Sequence, residues 1–415
     1  MGDFAISKVI VIGAGIGGLT TALALNARGF EVVVYEAAPE IHERGVGINL
    51  LPHSVTILGE LGLQDELLAQ GVATRELVYF NKFGQRIWGE PRGLFAGYPC
   101  PQISLHRGRL QMTLLKAAIE RIGADNIRTA HKLDSFSQDA EAVTAQFVDL
   151  DGKPVATDRA DALIAADGIH STARKAFYPD EPPPIYGGRV LWRATTRSAP
   201  FITGATMFMA GFQDQKFVAY PIEQPDADGR QLINWIAELK REAMPNREDW
   251  NRPGRIEDFL PEFEGWIFPW LDIPELIRGA QSVYEFPLVD RDPLPQWSFG
   301  RVTLLGDAAH PLYPIGSNGA SQAILDARAL ADALSASDDT PAALKAYQDA
   351  RLPPTAAVVL ANRGNGPEQC MQLAEERAPN GFERIEDVIP MAELEAIAAR
   401  YKQVAGFSKA AVSKR

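Results

Sequence analysis

The stretch KVIVIGAGIGGLTTALALNARGFEVVVYE, Lys8 to Glu36, leaves few folds open. Lys8 to Ile12 is an apolar run of the kind that forms a parallel strand buried on both faces. LTTALALNARG follows as a helix, with Gly29 as its stop. EVVVYE is a second apolar strand, and it ends in an acid. Strand, glycine turn, helix and strand in that order predict an α/β fold built on a parallel sheet.

The spacing of Gly13, Gly15 and Gly18 has a chemical reading. Gly13 permits the tight turn, Gly15 lets backbone N–H groups approach a pyrophosphate, and Gly18 lets the helix pack close to the strand. The helix N-terminus then faces the phosphates. Glu36 sits where an acid accepts hydrogen bonds from a ribose. The unit therefore predicts a bound dinucleotide, and leaves NAD(P) and FAD equally open.

A second and a third strand end also carry an acid. ALIAAD runs into Asp167-Gly168, and Ser171 is placed to cap the helix that carries Arg174. RVTLLG runs into Asp307, followed by PLYPIGSNGASQAILDA, in which a helix is expected to start near Gly319. Open α/β sheets bind ligands at the carboxyl ends of their strands. Asp307 is expected to accept from a chain of hydroxyls. Pro314, Gly316, Asn318 and Gly319 are expected to hold a ligand edge, mostly through backbone, at the positive end of the helix. His310 reads either as a turn residue or as a base.

Several loop residues are candidates for the same ligand. Gly45 and Gly47 mark a close backbone approach, and Arg44 and Arg107 precede helices. Each arginine either reaches a phosphate or a flavin edge, or is solvated. From about Ile185 to Pro287 the texture changes to strands with partial alternation, which predicts an antiparallel sheet. Its aromatics Trp192, Phe208, Tyr220 and Trp235 are either sheet core or the lining of an aromatic pocket. Arg193 meets a substrate carboxylate if it faces inward, and is otherwise a surface residue.

At 415 residues the chain is long enough for two or three domains. The expected division is a discontinuous ligand-binding domain of residues 1–180 and 287–340, a sheet domain of 181–286, and a helical region of 341–415. A net charge of -12, with no basic run, argues against nucleic acid or an anionic membrane as a partner. No apolar run is long enough to span a bilayer. Cys100 and Cys370 are far apart and lack any metal-ligand pattern, so structural thiols in a reducing cytoplasm and no metal site are expected. The tail AGFSKAAVSKR is expected to lack fixed structure.

Taken together, GAGIGGLT, ADGIHSTAR and GRVTLLGDAAH resemble the three ordered motifs of the FAD-dependent aromatic hydroxylases of the p-hydroxybenzoate hydroxylase type. The resemblance runs over roughly residues 6 to 365. Further stretches (GVGIN, EPRG, HRGRLQM, DWNRPGRIEDFLPEF, DRDPLPQW and GSNGASQAILD) look like the 5-methylphenazine-1-carboxylate 1-monooxygenases, while the middle strands match less well. The resemblance implies a Rossmann-like FAD-binding domain of the glutathione-reductase type with an inserted, mostly antiparallel substrate domain. It also implies FAD held without a covalent link, NADH or NADPH as a transient reductant, and O₂ activated as a flavin C4a-hydroperoxide. The product would be a hydroxylated small aromatic or N-heteroaromatic ring, with loss of CO₂ where the attacked carbon carries a carboxylate. A homodimer is a family expectation.

Overall fold

A computed structural model describes residues 7–43, 45–244 and 252–412. Arg44 lies outside the described residues, so its role stays an expectation. The first apolar runs form strands Lys8–Ile12 and Glu31–Tyr35, joined by the helix Ile16–Asn26. They sit in a six-stranded sheet whose order runs Ser298–Phe299, Val302–Leu304, Ala162–Ala165, Lys8–Ile12, Glu31–Tyr35 and Ile127–Arg128. All pairings are parallel except the short Ser298–Phe299 edge. Side chains of the central strands are almost wholly buried, as two-sided coverage by helices requires.

The register is what positions the site. Ile12 is paired with Ala165, and Ala165 with Leu304. Three strands distant in sequence therefore end side by side. Gly13 takes φ +96°, and a Cβ built on Gly18 would lie 1.9 Å from the Gly13 carbonyl oxygen. The helix thus packs against its own entry turn at a separation only glycine allows.

A seven-stranded sheet forms the second layer, in the order Val283–Asp290, Ile185–Ser198, Gln231–Lys240, Gln215–Pro221, Thr206–Phe212, Glu76–Phe80 and Arg86–Pro91. Its central pairings are antiparallel. The sheet extends beyond the expected 181–286 segment. Glu76–Phe80 pairs in parallel with Thr206–Phe212, so a hairpin from the first part of the chain completes it. Strand alternation gives it two faces. One buries Trp192, Phe208, Phe217 and Trp235 against Phe259 and Phe263. The other carries Leu191, Met207, Met209, Val218 and Ile236 towards the C-terminal helices.

The helical C-terminal region opens with Gly319–Ser335 and Thr340–Arg363. The tail departs from expectation up to residue 412. Phe407 and Val412 are buried, and the Tyr98 hydroxyl donates to the Phe407 carbonyl at 2.7 Å. Two apolar side chains spaced along AGFSKAAV are enough to anchor it. Both cysteines are free and buried, which pushes their thiols up from the ordinary range. Among the described residues, no helix is long and apolar enough to cross a membrane.

Gly18→Ala is expected to lower stability by about 1–3 kcal/mol, the usual range for overpacking against atoms that cannot move aside. A urea or thermal denaturation midpoint equal to that of the parent would show that the turn relaxes.

Candidate active site

A small cleft lies at the carboxyl end of the parallel sheet. Gly13, Gly15, Glu36, His131, Lys132, Asp167, Gly168 and Thr172 are among its walls. Glu36 is held in place by two backbone donors: Ala14 N–H to one oxygen and Ala38 N–H to the other, both at 2.8 Å. Each oxygen keeps a lone pair for a ribose hydroxyl. Asp167 accepts from Thr172 N–H at 2.8 Å through Oδ2, while its buried Oδ1 has no partner. Burial pushes this carboxyl above its ordinary range, with Ser171 and the Thr172 N–H drawing it back. Ser171 caps the following helix, as its position predicts, by accepting from Arg174 N–H at 3.0 Å.

Gly15, Ala166 and Gly168 also line a larger cavity of about 370 Å³, so the cleft and the cavity are contiguous. The cavity runs between the parallel sheet and the seven-stranded sheet. Gly47, Arg107, Asp307, Pro314, Asn318 and Gly319 are on its walls. Protein surrounds Asp307 and Arg107, yet both keep accessible surface on the wall of this cavity. Burial raises the Asp307 carboxyl, and His310 and Arg107 draw it back. Arg107 is the first residue of the helix Arg107–Ile122 rather than a loop residue. Gly47 N–H donates to Asn234 Oδ1 at 2.7 Å, and a Cβ on Gly47 would strike that side chain.

The turn between Asp307 and Gly319 is held from behind by residues that sequence reasoning missed. Asp326 accepts from Arg351 Nε at 2.7 Å and from Gly306 N–H at 3.2 Å, and lies 2.5 Å from His310 Nε2. Arg174 Nη1 donates to the carbonyls of Ala308 and Ala309, both at 3.0 Å. His310 is buried beside Trp297 and is not on the cavity wall, so it supports the turn. Asn318 Nδ2 donates to Gly316 O at 3.0 Å and to Tyr401 Oη at 2.8 Å, and Tyr401 Oη donates to Asn362 Oδ1 at 2.8 Å. Gly316 differs from expectation. It faces Tyr401 rather than the cavity, and it serves the turn through its φ of +68°. The helix does start at Gly319, where nothing lies within 4 Å of a built Cβ.

Of the five candidate substrate residues, the structure brings two to the cavity. Arg193 and Tyr220 line it. Trp192, Phe208 and Trp235 do not. Their strand positions point to the opposite face, where Trp192 stacks on Phe259 at 4.9 Å and Trp235 Nε1 donates to Thr196 Oγ1 at 3.0 Å. They are core residues of the sheet. Arg193 Nη2 donates to Gly47 O at 3.2 Å, and its Nε is buried without a partner. Among the described residues no carboxylate pairs with it, and burial lowers its pKa from the ordinary arginine value.

These walls fit FAD. The unpartnered Asp167 Oδ1, the open space beside Gly15, Gly168 and Gly319, and the cavity-facing Asp307 form one continuous track. Glu36 would hold the adenosine ribose, the Gly13–Gly18 turn the pyrophosphate, and Asp307 the ribityl hydroxyls.

Asp307→Asn is expected to lower FAD retention through gel filtration; unchanged retention would displace Asp307 from the ribityl. Glu36→Ala is expected to weaken FAD binding about tenfold or more, as loss of a hydrogen bond to a charged group does. An unaltered dissociation constant in a fluorescence titration would contradict the ribose role.

A chain 45% identical over 363 residues, covering 86% of this protein and 89% of the relative, is the phenazine 1,6-dicarboxylic acid hydroxylase of Lysobacter antibioticus. The 3-hydroxybenzoate 6-hydroxylase of Polaromonas naphthalenivorans is 33% identical over 366 residues, covering 86% and 87% of the two chains. The solved structure of a salicylate hydroxylase substrate complex shares the fold, with a TM-score of 0.76 at 23% identity over 99% of this chain and 98% of that one. The family described as FAD binding domain matches residues 7–252 and 288–362, and this chain belongs to it.

Proposed function

We propose that this protein is an FAD-dependent monooxygenase that hydroxylates a small aromatic or N-heteroaromatic acid, using NADH or NADPH and O₂ in a single component. The observation that carries the substrate assignment is Arg193. A guanidinium set in the cavity wall, its Nε buried and with no carboxylate partner among the described residues, is costly, and an anionic ligand relieves that cost. Tyr220 and Asn49 stand beside it as further polar contacts. Similarity to hydroxylases across most of the chain favours oxygen insertion over a flavin oxidoreductase without it.

Bound FAD would supply electron transfer from the nicotinamide and the activation of O₂. The chain's own residues supply the setting. Leu191, Met207, Met209, Val218 and Ile236 make an apolar wall that excludes water from the reacting atoms. Pro314, Asn318 and Gly319 place a helix N-terminus at the cavity, where negative charge developing on the ligand is stabilised. Arg193 and Tyr220 orient the ring by its acid.

The test is stopped-flow absorbance with NADH and NADPH across a panel of aromatic and N-heteroaromatic carboxylates, with product analysis in air. A ligand that speeds flavin reduction and is recovered hydroxylated is the expected result; no flavin bleaching and no product with any acid would sink the assignment. Arg193→Met is expected to weaken binding of the acid about thirtyfold or more, since truncating one side of a buried charge pair costs about 2–5 kcal/mol. Equal affinity for parent and variant would place the carboxylate elsewhere.

A further inference from the structure

The cavity wall has a second polar end, apart from Arg193 and from the residues assigned to FAD. Along the strand Gln215–Pro221, the cavity-facing residues are Tyr220, Val218 and Lys216. On the neighbouring strand Ile236 pairs with Val218, and Glu238 with Lys216. Lys216 is four residues from Tyr220, about 13 Å along extended chain. The wall therefore reads polar, apolar, polar.

At the far level, Lys216 Nζ lies 2.6 Å from Glu368 Oε2 and 3.0 Å from Glu238 Oε2. Arg189 Nη1 is 2.9 Å from Glu238 Oε1. These four side chains are no more than 6% exposed. Apolar residues of similar volume would serve stability as well or better than a buried ionic cluster. This cluster also opens on the cavity, where Lys216, Glu238 and Glu368 form part of the lining. Two carboxylates offer about eight lone-pair sites, and the contacts from Lys216 and Arg189 occupy three of them. Acceptor capacity is in excess, so the group that completes the cluster is a hydrogen-bond donor.

Resting on the aromatic hydroxylase reading, we propose that Lys216, Glu238 and Glu368 are specificity-determining. They select flat, fused-ring acids that carry an O–H or N–H donor on the edge remote from the carboxylate held by Arg193. A second carboxylate on that edge is disfavoured, because Lys216 and Arg189, the cations at that level, are already paired with Glu238 and Glu368. The 3₁₀ turn Gly366–Glu368 brings one of these residues from the C-terminal region, so that region takes part in substrate choice.

The test is titration of the oxidised holoprotein, followed by the flavin spectrum, with phenazine-1-carboxylate, 6-hydroxyphenazine-1-carboxylate and phenazine-1,6-dicarboxylate. The hydroxy acid is expected to bind about tenfold or more tightly than the unsubstituted acid, as one hydrogen bond to a charged group provides, and the dicarboxylate more weakly than either. In Glu368→Gln, and in the double variant Lys216→Met with Glu368→Leu, which leaves no lone charge between them, the ratio of the first two affinities is expected to collapse to about twofold or less. A purely structural role would move both affinities together and keep the ratio. A parent without the preference, a dicarboxylate that binds tightest, or a ratio preserved in folded variants overturns the proposal. If the variants do not fold, the parent's own order of the three acids still decides. Binding of none of the three, with FAD retained, overturns this proposal and leaves the hydroxylase reading to the stopped-flow panel.

Discussion

In-register parallel pairing of three strands is the constraint on which the rest depends. Lys8–Ile12, Ala162–Ala165 and Val302–Leu304 are joined laterally by backbone hydrogen bonds, so their carboxyl ends fall on one line. The residues that follow them meet there whatever their distance in sequence. That alignment brings Gly13, Asp167 and Asp307 to one edge. A carboxylate at a strand end sits where the sheet's own hydrogen bonding stops, and where a ligand's hydroxyls can replace it. Both acids, Asp167 and Asp307, are raised by their enclosure in protein, and Asp167 Oδ1 is buried without a partner.

The second sheet contributes by parity. Each strand buries one set of side chains and offers the other to the cavity, and a shift of one residue would exchange them. Arg193 and Tyr220 face the cavity because Trp192 and Ala219 face the core. The aromatic side chains gather on the core face, stacked and edge to face. The cavity face is aliphatic and thioether with polar groups at its ends. The wall an aromatic ring would meet here is apolar, not a cage of tryptophans.

The C-terminal region closes the arrangement. Tyr401 and Asn362 hold the 313–318 turn through its carbonyls and Asn318, and Asp326 with Arg351 holds the turn after Asp307. Burying these polar groups is tolerable because nearly all are paired with each other. One signal for part of this network was present in the chain. Asn318, Gln322 and Asp326 form a polar stripe at helical spacing on a buried face. Tyr401 and Asn362 carried no such signal, since a lone polar residue on a helix gives no hint of its partner.

Local rules were enough for the parts whose partners lie nearby. The glycine spacing, the apolar runs, the Ser171 cap and the helix start at Gly319 follow from backbone sterics and hydrogen bonding within a few residues, and from these the dinucleotide track was legible. The resemblance of three ordered motifs supplied the cofactor. What only the tertiary structure decided was which side chains share a space. Strand parity sent Trp192, Phe208 and Trp235 into the core, positive φ turned Gly316 to Tyr401, and an unforeseen hairpin completed the second sheet. Lys216, Glu238 and Glu368 became one cluster only through strand pairing and a C-terminal turn. Sequence patterns record which face of an element is buried. They do not record what that face is buried against, because that depends on contacts between segments hundreds of residues apart.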